Sequence, residues 1–292
     1  MVRTGTVHPP PLAGSSMAFD PKDGYVVLFG GHSNPSAWGS ANVTNATWTY
    51  SAGIWTRLHV GAAPRPRADA SIAYDPLIGA VVLFGGVGKT TCTGRGCSTP
   101  EFNDTWTFVG GRWTLLRSAT SPPARFGAGM TFDPKVQALI LEAGITNGNA
   151  SDTWRFSGGV WSHVAQNCTS VQPPWSRGVV SAYDRGDRVL VALTDYGPAY
   201  TFLFSKGCWT QYNSVASSTP PGALSFDPIL NRTVFFTSNN TWSYAAGVWS
   251  SGLTTRSPTD RSYEPIMAFD AADRCMLLFG AGSTSAQTWV LK

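Results

Sequence analysis

Apolar residues along this chain come in short runs of strand length, and the runs recur. Val26-Val27-Leu28-Phe29, Val81-Val82-Leu83-Phe84 and Ala138-Leu139-Ile140-Leu141 are three of them. An aromatic-Asp pair precedes each run: Phe19-Asp20, Tyr74-Asp75, Phe132-Asp133, Tyr183-Asp184, Phe226-Asp227 and Phe269-Asp270. Between pair and run lies a turn, which carries Pro21, Pro76, Pro134 and Pro228 in four repeats. Short apolar runs bounded by Gly and Pro predict strands, and no helical periodicity of useful length competes with them.

Each run ends near glycines, as at Gly30-Gly31 and Gly85-Gly86, and a loop of variable length follows. Thr-Trp then opens a third strand at Trp48, Trp106, Trp154, Trp242 and Trp289. A second Trp follows at a fixed spacing, at Trp55, Trp113, Trp161 and Trp249; the fourth repeat keeps it with Phe202 and Trp209. Glycines lie inside that spacing, which predicts a two-strand hairpin. Each repeat is therefore four antiparallel strands, here a to d from the inside out. One such sheet cannot bury both faces alone, whereas radial stacking buries them and leaves short protected edges.

The predicted fold is all-β, a single six-bladed propeller over residues 1–292. The blades span about 12–60, 67–118, 125–166, 176–214, 221–254 and 261–292. The sixth repeat stops at its strand c, Trp289-Val290-Leu291. The segment 2–7 before Pro9-Pro10-Pro11 is expected to supply its strand d and close the ring.

The motif Tyr74-Asp75-Pro76, Val82-Leu83-Phe84-Gly85-Gly86, Asn103-Asp104-Thr105-Trp106 and Trp113 resembles a kelch repeat. The resemblance runs along essentially the whole chain. Blade three departs from it at Glu142-Ala143-Gly144, and blades four and five lose the glycines, with Ala192-Leu193-Thr194 and Phe236-Thr237-Ser238 instead. It implies an interaction module. Galactose-oxidase-like kelch enzymes hold copper on tyrosines and histidines, and no such constellation is found here. No cofactor or metal is expected, since His8, His32, His59 and His163 show no metal-site spacing either.

Composition narrows the partners. Only 13% of residues are charged and the net charge is +4, too mild to argue for nucleic acid. No apolar stretch approaches the ~20 residues of a membrane-spanning helix. Residues 1–11 lack the apolar core of a signal peptide, which leaves either a cytosolic chain or one whose leader or upstream region has been removed.

The recurring Asp residues look like a catalytic set but read better as turn caps, the carboxylate accepting from the turn's own backbone N–H groups. Strand polarity puts the b–c loops, the d–a linkers and the start of each strand a on one face. All the irregular sequence is there, and the long loops belong to blades one to three. Sites favour variable loops on rigid scaffolds, so this loop face is the expected functional face.

Arg67, Arg125, Arg177 and Arg261 precede strand a at nearly one repeat position. They read either as a guanidinium ring for an acidic ligand or as ties to neighbouring carbonyls. Asp69 and Glu264 share a position further in and form a candidate carboxylate pair, or pair with nearby arginines. Trp38 and Trp175 lie off the repeat and are candidate platforms for a sugar or protein.

Cys92 and Cys97 flank a short loop segment and are expected as a disulfide. Cys208 and Cys275 occupy strand slots held elsewhere by other side chains and read as packed residues; Cys168 is read as free or as an alternative partner for the loop pair. Asn-X-Ser/Thr occurs at Asn42, Asn45, Asn103, Asn149, Asn167, Asn231 and Asn239. Three of these, Asn45, Asn103 and Asn239, also sit where a side chain can cap the turn into strand c. Sequons and a loop disulfide together favour an extracellular or cell-surface setting.

The expected function is a non-enzymatic module binding a glycan or protein through the loop face of blades one to three. Two alternatives stand: a self-assembling, glycosylated surface subunit, and a carbohydrate-active enzyme acting through Arg67, Arg125 and Asp69.

Overall fold

The carboxylate of each aromatic-Asp pair fixes the turn that starts every blade. In the computed structural model Oδ1 of Asp20, Asp75, Asp133, Asp184, Asp227 and Asp270 accepts backbone N–H groups two or three residues on, at 2.8–3.3 Å. All six are buried. Burial raises the carboxyls of Asp20, Asp75 and Asp270 above the ordinary range, against the lowering effect of those N–H groups. The turn-cap reading of the sequence therefore holds.

The structure describes residues 7–33, 42–94, 96–146, 150–165, 178–194, 200–215, 222–237, 240–252, 263–281 and 286–291. Blade 1 is β1 (Ser16–Asp20), β2 (Tyr25–Phe29), β3 (Thr47–Ser51) and β4 (Ile54–Leu58). Blade 2 is β5 (Ser71–Asp75), β6 (Ala80–Phe84), β9 (Thr105–Val109) and β10 (Arg112–Leu116), with β7 (Thr91–Thr93) and β8 (Gly96–Ser98) as a separate hairpin in its loop. Blade 3 is β11 (Gly129–Asp133), β12 (Ala138–Glu142), β13 (Thr153–Ser157) and β14 (Val160–His163). Blade 4 is β15 (Val179–Asp184), β16 (Val189–Thr194), β17 (Tyr200–Ser205) and β18 (Cys208–Ser214). Blade 5 is β19 (Gly222–Asp227), β20 (Arg232–Thr237), β21 (Thr241–Ala245) and β22 (Val248–Ser251). Blade 6 is β23 (Tyr263–Asp270), β24 (Cys275–Ala281) and β25 (Ala286–Leu291). Every pairing is antiparallel between neighbours in the order a-b-c-d, and no described residue is helical. The strand expected from segment 2–7 lies, but for Val7, outside the described residues.

The core is six wedges between blades rather than one nucleus. Between blades 1 and 2, Val27 and Phe29 meet Val81, Leu83 and Trp113. Between blades 6 and 1, Leu277 and Phe279 meet Leu28, Tyr50 and Trp55. Trp113 packs edge-on to Phe29 at 5.1 Å between centroids, and Trp55 to Phe279 at 5.7 Å. Such tilted pairs add to the area the rings bury.

The Trp of strand d also latches its blade to the one before it. The indole Nε1 of Trp113, Trp161, Trp209 and Trp249 donates to Oγ1 of Thr47, Thr105, Thr153 and Thr201 at 2.8–2.9 Å. Trp55 donates to Thr288 at 3.0 Å and joins blade 1 to blade 6. The threonine of four Thr-Trp pairs, and Thr201 of the Thr-Phe pair in blade 4, is thus an acceptor for the next blade, which explains why both motifs recur together.

Candidate functional site

The inner strands enclose a channel with a cavity at each end. On the loop face a cavity of about 200 Å³ is lined by the starts of the six strands a. Backbone bonds step around its rim: Asp69 N–H to Gly14 O at 2.7 Å, Gly127 N–H to Asp69 O at 2.9 Å and Val179 N–H to Gly127 O at 3.0 Å. The rim residues Gly14, Asp69, Gly127 and Glu264 are left-handed, with φ of 60°, 53°, 64° and 49°. Glycine is the low-cost choice there, and an L-residue costs on the order of 1 kcal/mol. Blades 2 and 6 nevertheless carry acids, and both line this cavity. The structure therefore brings the predicted pair, Asp69 and Glu264, to one mouth. The Asp69 carboxylate reaches over Gly14, where its Oδ1 fills the place a Cβ would take.

Of the two readings of the arginines, Arg67 and Arg125 follow the tie to backbone carbonyls, within their own blade, rather than the ligand ring. Arg67 and Arg125 are 0% and 1% exposed. Arg67 Nη1 and Nη2 grip the Asp104 carboxylate at 2.5 and 2.8 Å, Nη1 also reaches Gly85 O, and Nε reaches Arg65 O. Arg125 repeats this with Asp152, Ala143 O and Pro123 O. A guanidinium with four of its N–H bonds so engaged has no fork left for a ligand. Burial raises the Asp104 and Asp152 carboxyls, but the arginine bonds outweigh it and hold both below the ordinary range. These pairs tie the start of strand a to the entry of strand c within one blade. Trp106 and Trp154 complete them by donating to the same carboxylates at 2.7 Å. The sequence carried a signal for this. Blade 1 has Leu12 and Ala46 at the equivalent positions and so lacks both the Arg and the Asp.

Around these clamps the loop ends form a braced rim. Isolated bridges join Ala13, His32 and Val43 in blade 1, Ala68, Val87 and Glu101 in blade 2, and Phe126 and Ile145 in blade 3. The exposed hairpin β7–β8 projects beyond it and is tied by the expected disulfide Cys92–Cys97, with S–S of 2.05 Å. Lys89 Nζ donates to Asn42 Oδ1 at 3.1 Å and links the loops of blades 1 and 2. Arg177, Arg261, Trp38 and Trp175 lie outside the described residues, as do Asn149, Asn167, Asn239 and Cys168.

Two other expectations change. Cys208 is disulfide-bonded rather than merely packed, while Cys275 is buried in its strand slot, as expected. At the turn into β3 the cap is Thr44, whose Oγ1 accepts from Ala46 N–H at 3.1 Å, while Asn45 is exposed. Asn42, Asn103 and Asn231 are exposed too. Beside Asn103 it is Asp104 that makes the local contacts, through the clamp.

The other end of the channel is wider, with a cavity of about 780 Å³ lined by the ends of strands a and the turns after them. Its wall includes Phe19, Tyr74, Phe132, Tyr183, Phe226 and Phe269, one from each blade. All six are half-buried, while the Asp after each is buried. Sequence reasoning treated the pair as scaffold; the structure divides it into a capping Asp and a channel-lining ring. The two cavities share Met17, Ile72, Met130, Ser181, Leu224 and Met267, a waist in which Ser181 alone is polar.

Behind Ser181 lies Glu142, which is 0% exposed. Its slot at the end of strand b holds Phe29, Phe84, Leu193, Phe236 and Phe279 in the other blades. Gly129 makes room, since Glu142 Oε1 fills the place of a Cβ there with Ser181 Oγ close by. Burial pushes the Glu142 carboxyl up to about 8, and the nearby Ser181 hydroxyl lowers it only in part. It is mostly protonated at neutral pH.

The ring of six such blades defines the chain as a six-bladed β-propeller. No protein-family model and no curated protein matches the chain. Among solved structures it is similar to the one titled "Structure of YjhT", with a TM-score of 0.67 and 13% identity over 100% of this chain and 95% of that one. At that identity the likeness carries the fold alone.

Proposed function

We propose that the protein is a kelch-type binding module, exported to the cell surface or beyond, that takes a glycan or protein partner on the loop face of blades 1–3. One observation carries the reading: the loop ends there are braced by two buried Arg–Asp clamps. Burying an ion pair is a poor route to stability by itself. Its evident effect is positional, since each clamp holds the base of a loop in one geometry. A rigid rim carrying an exposed, disulfide-tied hairpin suits recognition, because less ordering entropy is lost on binding. Asp69 and Glu264, held in left-handed conformations at the adjacent mouth, add a charged contact for the same partner. The enzyme alternative loses its arginines to the clamps.

The test is a hairpin replacement. Thr90 and Thr99 meet at the hairpin's base, 2.7 Å apart. Residues 90–99 are exchanged for a short Gly-Ser linker and the labelled protein is applied to a glycan array and a secreted-protein array. Binding is expected to fall at least tenfold with an unchanged melting temperature. Undiminished binding overturns the choice of face. Exposure of Asn42, Asn45, Asn103 and Asn231 supports the exported setting. Glycopeptide mass spectrometry on protein from its native source is expected to find a glycan on at least one of them; four unmodified sites would count against export.

A further inference from the structure

We propose a second ligand site at the turn-face end of the channel, opposite the loop rim, for a small organic anion whose ring stacks on aromatic side chains. Three features of the 780 Å³ cavity point to this chemistry. The first is the ring of six half-buried aromatic side chains, which offers ring faces for stacking. A cavity of this size falls in the range of small-molecule sites.

The second is charge. Lys135, Arg185 and Arg188 are the charged residues among its described lining, and all come from blades 3 and 4. The carboxylates nearby do not cancel them at the surface: the six recurring Asp are buried in their turns, and Asp187 accepts from Ala246 and Gly247 N–H at 3.2 and 3.0 Å. Ser181 of the waist and Glu142 behind it also belong to blades 3 and 4. One side of an aromatic funnel is thus cationic and polar, and the rest is apolar. A ring-bearing anion fits that asymmetry with its charge toward blades 3 and 4.

The third is the conformation of Arg188. Its φ is 56°; the equivalent turn positions are Gly24 and Gly79 in blades 1 and 2 and the likewise left-handed Gln137, Asn231 and Arg274 in blades 3, 5 and 6. An arginine at a left-handed position carries backbone strain that glycine avoids. Its guanidinium neighbours the hydroxyl of Tyr183, itself a member of the aromatic ring, and both side chains line the cavity. The Tyr183 hydroxyl is the hook for this rim arginine.

The strain supplies a test in which binding and stability move in opposite directions. Binding of benzoate and glucuronate is measured by ligand-observed NMR and calorimetry, beside their neutral counterparts benzyl alcohol and glucose. At least one anion is expected to bind saturably, at least tenfold more tightly than its neutral counterpart. Which anion binds distinguishes an aromatic from a sugar ring. Arg188→Gly is expected to weaken binding at least tenfold while the melting temperature stays level or rises. Tyr183→Phe keeps the ring, loses the hook and is expected to weaken binding severalfold. Replacement of the loop hairpin 90–99 is expected to leave this binding unchanged, which separates the site from the loop face. Equal binding of anions and neutral counterparts, undiminished binding in Arg188→Gly, or no saturable binding of either anion at millimolar concentration overturns the proposal.

Discussion

Glu142→Leu is expected to raise the stability of the propeller by about 2–3 kcal/mol at pH 7, read as an increase in melting temperature of roughly 5–10 °C. Glu142 is the one acid in a slot that is otherwise Phe or Leu, inside the wedge between blades 3 and 4 that Ile140, Leu190, Phe204 and Trp209 fill. Leucine suits that surface, and Gly129 leaves room for it. Below pH 4.5 both the folded and the unfolded chain hold the Glu142 proton, and the ionisation penalty is absent. Above it the unfolded chain releases the proton while the folded chain keeps it up to pH about 8. Stability therefore falls with rising pH across that window, by about 1.4 kcal/mol per unit, and levels off beyond it. The variant should lose that slope. The slopes from Asp20, Asp75 and Asp270, which burial also raises, should persist at the acid end. Denaturant unfolding of both proteins from pH 4 to 9 measures this. Parallel curves would mean that Glu142 does not bind its proton more tightly in the folded state.

The same residue shows how far the sequence is legible. Six blades follow from local spacing alone, because the aromatic-Asp turn, the apolar run and the Thr-Trp hairpin are contacts between near neighbours. Glu142 was visible as a break in the Gly-Gly pattern, but its burial depends on Gly129 in the adjacent strand and Ser181 in the next blade. The first is set inside the blade's own a–b hairpin, where Gly129 pairs with Glu142, but the second arises only when the ring assembles. The channel was hidden for a similar reason. Alternation assigns Phe19 and Tyr74 a face opposite their Asp neighbours, yet the width of the space they face is set by the number and tilt of the blades. Loop length pointed to the loop face and passed over the turn face, where the irregularity lies in Arg185 and Arg188 rather than in length. The arginines were legible in part, as ties to backbone carbonyls. Arg67 and Arg125 were placed correctly along the chain, but their carboxylate partners, Asp104 and Asp152, lie in strand-c entries and come near only when each sheet forms.

Those clamps give the second large effect. Arg67→Leu alone is expected to cost about 2–4 kcal/mol, because it leaves the Asp104 carboxylate without its counter-charge, leaves Gly85 O without its donor and removes the cation packed 4.2 Å over Phe102. Arg67→Leu/Asp104→Ala recreates the Leu12 and Ala46 pair with which blade 1 builds the same corner. That double variant should lie within about 1 kcal/mol of the native protein, since exchanging a whole buried pair for apolar residues removes the desolvation cost along with the attraction. The acceptor that Trp106 loses is tolerable on the precedent of Trp48, whose buried Nε1 has no hydrogen-bond partner. The cycle should therefore return a coupling of about 2 kcal/mol or more. Acid separates the variants as well. The Asp104 carboxyl is held below its ordinary value in the fold, so its contribution is present above about pH 4 and fades as pH falls through the folded value. The native protein should lose that increment in acid, and the double variant has none to lose. A single variant as stable as the double would show that Asp104 stays solvated once its partner is gone. The clamp would then be a device for holding the loop rather than for holding the fold, and its removal would appear in loop-face binding before it appeared in melting.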